Sequence, residues 1–486
     1  TSTTVFGGVT VTGGMSGVDY DVSVSPLLLT VKTGTPLSFS GTGEGSIKIA
    51  EGVDASITLD NLDLTSKSSA PTTAADRNSP IDLWPGSSLH ITLADGSTNY
   101  LRTQLDTNCA GIHVAETAKL TIDDSVTNRL TDGTHVEVDG GKIATAGTLL
   151  DGTEVAVGDE ILKLASDDPG VLKVAGGYGC AAIGSGSMEN AGLMVFDGGS
   201  VVAVTWRGVA VDLDNPGAGG DADIPVSGSY YASAGAGIGA GCGGGATDMV
   251  FNAADIDAYG SYHGAAIGAP LRYEGGTTYN GGARQPSALT TTPNSTCGNI
   301  TINGGFLKAR GFTHGNAFGG ACDSAAAPGA KGKVIKVTGG TLLPTSGSGH
   351  WDLGGRDGTV IVTGGSMRIA NMSKFQGDGP WSDETKTTKL TMVTIDMKAE
   401  LEQLDSLNSK ISGWQLFVNG QPHSYGAPTM FDDGKLYLWL SDAYLQKDPE
   451  TGKSARIEVR LNYIDANGKE QRLEPLYVEE LGGSSG

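Results

Sequence analysis

Aromatic residues make up only 6% of this 486-residue chain and charged residues 18%, so a large aromatic core of the ordinary globular kind is excluded. Basic residues are scarce against acidic ones, 32 to 54, giving a formal net charge of −22. Nothing here would neutralise phosphates, which argues against a nucleic-acid partner. No apolar run reaches the eighteen or more residues of a membrane span, so no membrane insertion is expected. The five cysteines, Cys109, Cys180, Cys242, Cys297 and Cys322, have no CxxC spacing, which excludes a zinc ribbon or finger. They read as small buried side chains, with a disulfide between neighbouring turns as the other option. GxSxG, HExxH, Walker and strand-linked Rossmann motifs are absent. The chain opens at Thr1 with no initiator Met and reads as a mature or trimmed chain, and residues 482–486 read as a linker or tag scar.

Glycine is abundant, 76 residues or about twice the usual share. Much of it belongs to a recurring phrase of small residues ending in an apolar residue and glycine. The copies are CAGI at Cys109–Ile112, CAAIG at Cys180–Gly184, GAGIG at Gly235–Gly239, GAAIG at Gly264–Gly268, GNAFGG at Gly315–Gly320 and HWDLGG at His350–Gly355. A second phrase, two small residues and a short alternating strand, recurs as DGGSVVAV at Asp197–Val204, NGGFLKA at Asn303–Ala309, TGGTLLP at Thr338–Pro344 and TGGSMRIA at Thr363–Ala370. Repetition on this scale indicates a solenoid wound from strands. The anchors Ile112, Ile183, Ile238, Ile267, Phe318 and Leu353 are 71, 55, 29, 51 and 35 residues apart, which reads as one coil or two per gap with loop insertions. The fold class expected is all-β: a parallel β-helix over residues 1–388, a small β-rich domain over 389–481, and insertions near 123–173, 212–231 and 269–293. A short helix is expected at Ala399–Leu407 and a hairpin turn at Asn467–Gly468.

NCAGIHVAETAKLTI at Asn108–Ile122, GAGIGAGCGGG at Gly235–Gly245 and CGNITINGGFLKARG at Cys297–Gly311 resemble the right-handed parallel β-helix (pectin-lyase-like) repeats of large gut-bacterial cell-surface proteins. The resemblance covers about residues 40–370. It implies a secreted or cell-surface, extracellular protein and supplies no catalytic residues, since the fold hosts lyases, hydrolases and adhesins alike.

Alternation in the second phrase places Ile256, Ala258, Leu307, Ala309, Met367 and Ile369 inward; it leaves Asp255, Phe306, Thr341 and Ser366 outward, with Asp257, Lys308, Leu343 and Arg368 in one outward file. Asp255 and Asp257, roughly 5–7 Å apart by strand geometry, are the acid/base pair if the protein is a glycoside hydrolase or polysaccharide lyase. Their plainer reading is as solvated side chains paired with cations. Asp212, Asp214, Asp221 and Asp223 form an acidic, glycine-rich loop of the kind that suits Ca2+, though it matches no EF-hand. His263, His314 and His350 fall at similar repeat positions, giving either a metal site or a stacked ladder. Tyr230, Tyr231, Tyr259, Tyr262, Tyr273 and Tyr279, with Trp351 as a weaker member, concentrate on neighbouring insertions and turns. Flat rings stack on sugars and are favoured at protein interfaces, so these are the ligand-binding candidates. The leading reading is a non-catalytic adhesin or structural protein whose partner is a glycan or host surface protein. The alternatives are a polysaccharide-active enzyme and a self-associating filament subunit.

Overall fold

The computed structural model describes residues 2–66, 79–103, 110–124, 138–139, 142–148, 154–159, 169–224, 233–270, 273–274, 277–278, 295–320, 329–426, 431–467, 470–474 and 476–478. The protein is mostly β. Its main feature is a large mixed sheet, predominantly parallel and curled nearly into a barrel, with a ten-stranded sheet sharing its core.

The parallel strands fall into three files that the chain visits in rotation. The first file runs through Ser46–Ile49, Ile81–Leu83, Ile112–Val114, Ile183–Gly184, Ile238–Gly239, Ile267–Ala269, Phe318–Gly320 and Leu353–Gly354. The second includes Ser88–Leu93, Lys119–Asp124, Leu193–Phe196, Met249–Phe251, Ile300–Ile302, Val334–Val337 and Thr359–Val362. The third includes Thr98–Arg102, Val171–Ala175, Ser200–Val204, Asp255–Tyr259, Phe306–Arg310, Thr341–Thr345 and Ser366–Met367. Period-two alternation sends one apolar set from every file into a common core, and Ile47, Ile49, Ile57, Leu59, Leu62 and Leu64 are all buried there, as their spacing requires.

The repeat anchors pair directly, Ile112 with Ile183, then Ile238, Ile267, Phe318 and Leu353. Consecutive anchors are therefore neighbours in one file, with one second-file and one third-file strand between them among the described residues. Between Asp124 and Gly170 the described insert has two small hairpins, Val138–Asp139 with Lys142–Ile143 and Gly147–Thr148 with Glu154–Val155.

The glycine after each anchor has a steric cause. Gly184, Gly239, Gly268, Gly319 and Gly354 stack on one another with φ between +113° and +144°, a region closed to other residues. A Cβ on Gly184 would lie 1.7 Å from the carbonyl oxygen of Gly239, and one on Gly268 would lie 1.9 Å from that of Gly319. The second phrase has a polar cause. Asn252 Nδ2 donates to Asp197 Oδ1 (2.7 Å), Asn303 Nδ2 to Asn252 Oδ1 (3.0 Å) and Thr338 Oγ1 to Asn303 Oδ1 (2.6 Å). These side chains cross-link the turns between the second and third files.

The ends are closed by antiparallel strands. Thr3–Phe6 pairs with Val9–Thr12, and Tyr20–Val24 with Leu27–Val31, before the parallel stacking begins. At the other end Lys435–Ser441 pairs with Leu390–Asp396 and meets the last third-file strand at Ser366, while Trp439 Nε1 donates to Met367 O (2.8 Å). This covering strand buries Ser366, which alternation had placed outward, and Thr341 beside it is buried as well. Residues 390–461 also contain a second apolar cluster around Trp414, Leu438 and Val459. The expected helix is present as Lys398–Ser406. Ile457–Ile464 and Glu470–Arg472 pair as the expected hairpin, with Gly468 of its turn outside the described residues. Cys180, Cys242 and Cys297 are buried, and burial pushes the Cys297 thiol up to about 12; Cys109 and Cys322 lie outside the described residues.

Gly268→Ala is expected to lower unfolding free energy by about 3 kcal/mol through strain and overpacking. Gly349→Ala, at φ +75° with nothing within 4 Å of the new methyl, is expected to cost roughly 1 kcal/mol. Urea titration of both variants checks the contrast.

Candidate functional site

Leaving the third file for the first, the chain turns one corner of the fold, and at each passage it places a ring there. Trp206 follows Ser200–Val204, Tyr262 and His263 follow Asp255–Tyr259, Phe312 and His314 follow Phe306–Arg310, and His350 and Trp351 follow Thr341–Thr345. His263 and His314 stack with centroids 5.2 Å apart and planes 11° apart. Tyr262 meets His314 edge-on at 5.3 Å, His350 meets His314 at 5.3 Å, and Trp351 meets His350 at 5.9 Å. One rotation earlier Trp206 packs on Tyr178 at 4.4 Å. His263 and His350 are buried, whereas Tyr178, Trp206, Tyr262, His314 and Trp351 keep part of their surface in solvent. The histidine spacing thus produces the stacked ladder. Burial holds the His263 imidazole below its usual pKa, and Asp223, 3.1 Å from its Nε2, works in the opposite direction.

The acidic loop crosses this corner as a strap. Val211 and Leu213 pack over Ala175, Val204 and Tyr259. Arg207, fully buried, closes the strap on itself by donating to the carbonyl oxygens of Pro216 (2.8 Å), Ala218 (2.8 Å) and Gly220 (2.6 Å). Phe312 lies within cation–π range of both the Arg207 and Arg310 guanidinium groups, at 4.5 and 4.7 Å. Asp212 accepts from the N–H groups of Asp214 and Asn215. Asp214 accepts from Lys173 Nζ (2.8 Å) and Tyr100 Oη (2.7 Å), which hold its carboxyl below the usual range. Asp221 accepts from the N–H and hydroxyl of Thr313, and Asp223 faces His263. The four carboxylates suggested for Ca2+ therefore do not converge on one centre: Asp214, Asp221 and Asp223 fasten the strap to other segments, and Asp212 accepts within the strap itself. Among the described residues no group of three or more His, Cys, Asp or Glu is placed to hold a metal.

The register of the outward file holds: Asp257 pairs with Lys308, Lys308 with Leu343, and Arg368 N donates to Leu342 O in the next strand. Asp255 and Asp257 share that face with Phe306 and Lys308. Crowding by surrounding protein raises both carboxyls above the usual range, more than the Lys308 charge lowers them. Asp255 nevertheless keeps a solvent-accessible edge. Tyr259 Oη donates to Asp257 Oδ2 (3.2 Å), and burial drives the phenol to about 12. Tyr259 so joins the carboxylate face to the ring corner.

Of the predicted tyrosines, the structure brings Tyr262 into the ring corner, with Tyr259 beside it and Trp351 at its far end. Tyr230, Tyr231 and Tyr279 lie outside the described residues. Tyr273 belongs to the strand Tyr273–Glu274, paired with Thr277–Thr278. Sequence reasoning missed Tyr178, Trp206, Arg207 and Phe312. It also missed a buried triad: His113 Nδ1 lies 2.6 Å from Asp82 Oδ1 and its Nε2 lies 2.8 Å from Glu189 Oε2. The signal was available, because His113 occupies the slot after an anchor where later copies carry glycine.

Arg207→Ala leaves three strap carbonyls without their donor and is expected to cost about 3 kcal/mol. Limited proteolysis should then cut between residues 207 and 224 in the variant well before it does in the parent chain.

No family model, no curated protein and no solved structure matches this chain.

Proposed function

We propose that this is a non-catalytic, secreted or cell-surface protein that binds an extended glycan along its ring-lined corner, on a right-handed parallel β-helix of the kind carried by gut-bacterial surface proteins. The helical reading is supported by the rotation of the chain through three files and by the one-rotation register of the anchors. No helix among the described residues is long and apolar enough to cross a membrane.

The observation that carries the binding reading is the row of partly exposed rings at Trp206, Tyr262, His314 and Trp351. Parallel strands repeat at about 4.8 Å, close to the advance of one sugar in an extended chain. A polysaccharide lying across successive turns would meet a ring or an imidazole edge at each step. Its apolar faces would stack on the rings, and its hydroxyls would find Asp221, Asp223 and Thr313 along the strap. The strap and the hydrogen-bonded turns keep the surface rigid, which lowers the entropic cost of binding. A glycan array with the intact chain tests the reading. Tyr262→Ala and Trp351→Ala are each expected to weaken binding to any hit about tenfold, corresponding to roughly 1.4 kcal/mol; unchanged affinity in both variants removes the corner as the site.

A second reading, a glycoside hydrolase or lyase, is favoured by the raised carboxyls of Asp255 and Asp257 on an outward face. The two readings differ in turnover, whereas the raised carboxyls bear on stability under either. A carboxyl whose folded pKa lies above the unfolded value of about 3.9 destabilises the fold when ionised, and the cost is relieved as pH falls through the folded pKa. Under the non-catalytic reading Asp255→Asn and Asp257→Asn each raise the unfolding free energy at pH 7, by on the order of 0.5 kcal/mol after solvent screening. The gain disappears below about pH 4, and binding is unchanged. Cleaved product on any array hit, lost in these variants, would establish the enzyme instead.

A further inference from the structure

Besides its stacked rings, the ladder holds a hydrogen bond between two imidazoles. His314 Nδ1 and His350 Nε2 lie 3.2 Å apart across two successive turns. Zinc bonds imidazole nitrogen at about 2.0–2.1 Å with tetrahedral angles, which puts two such nitrogens about 3.3 Å from each other. We propose that His314 and His350 form a two-imidazole site for Zn2+, with water completing the coordination.

Both rings are held before any ion arrives. His314 N donates to Tyr262 O (2.9 Å), and the His314 ring is stacked on His263. His350 N donates to Gly347 O (3.0 Å), and its ring is wedged between His314 and Trp351. His350 is buried and His314 is half-buried. Without metal, the two nitrogens can share one proton between them; the ion would take that proton's place and release it. The charges around the pair are mixed. Lys374 Nζ donates to the carbonyl oxygen of His350 (3.1 Å) and to Ser346 Oγ, which opposes a cation. Asp223 beyond His263, Asp221 on Thr313 and Asp352 on Ser346 N favour one. With two protein ligands the site is weaker than a closed four-ligand structural site and exchanges its ion.

This inference does not rest on the glycan reading, and its test does not use a sugar. The full chain is stripped with chelator and titrated with Zn2+ alone by calorimetry at pH 7.5. One ion per chain is expected. His314→Gln and His350→Gln should each weaken uptake at least about tenfold, while His263→Gln should stay within roughly threefold of the parent. Because His350 is buried, the half-exposed His314→Gln is the decisive variant, checked for folding by circular dichroism. Co2+ substituted for Zn2+ should give visible absorption that His314→Gln abolishes. Absence of uptake at millimolar Zn2+ overturns the assignment, as does uptake unchanged in both variants. Equal loss in His263→Gln also overturns it, by spreading the site over the whole ladder.

Discussion

Neighbouring parallel strands of this protein approach one another so closely at one slot that no side chain fits between them. Along Gly184, Gly239, Gly268, Gly319 and Gly354 the carbonyl of each next turn occupies the space of a Cβ. The anchors beside them can sit in register only because that approach is made. Once the anchors are in register, the alternation of the second and third files determines which residues are buried. The Asp197–Asn252–Asn303–Thr338 chain repeats the same alignment in polar form at another turn. Hydrophobic burial stabilises the whole, yet it would tolerate a slipped stack that the glycines forbid.

With the frame determined by buried positions, chemical variety is left to the corners. The strap, the rings and the outward carboxylates all lie outside the alternating core. They are fixed by contacts of a different kind: guanidinium to carbonyl at Arg207, carboxylate to phenol and ammonium at Asp214, imidazole to carboxylate at His263. These contacts join segments far apart in sequence, such as Tyr100 with Asp214 and Asp221 with Thr313. A rigid frame with individually fastened decorations is how a loop comes to present a fixed surface.

The same division decides what could be read from the residues alone. Ile183 and Ile267 were legible as stacked anchors because the phrase around them repeats. The length of the 71-residue gap was not, since an insertion leaves no mark of how many rotations it interrupts. Asp257 facing Lys308 followed from period two. Ser366 broke the rule because a strand some seventy residues later lies over it. The acidic loop looked like a cation site because Asp212, Asp214, Asp221 and Asp223 are close in sequence. The partners of Asp214, Asp221 and Asp223 (Tyr100, Lys173, Thr313 and His263) come from four other segments, and Asp212 turns back on its own loop, so proximity along the chain misled. Arg207 carried no signal at all: its partners are main-chain carbonyls, which every residue possesses.

The buried His113 marks where the rule of the glycine slot begins. Before it the slot holds Lys48 and Asp82, and after it only glycine. His113 is clasped by Asp82 from the turn behind and by Glu189 from the turn ahead, so it serves as a splice between two incompatible stacking rules. Strands on the glycine side follow one stacking rule and are interchangeable with one another in principle. A turn moved across the splice would bring either a side chain where none fits or a void around an unmatched charge. The molecule is therefore modular in two blocks, not one.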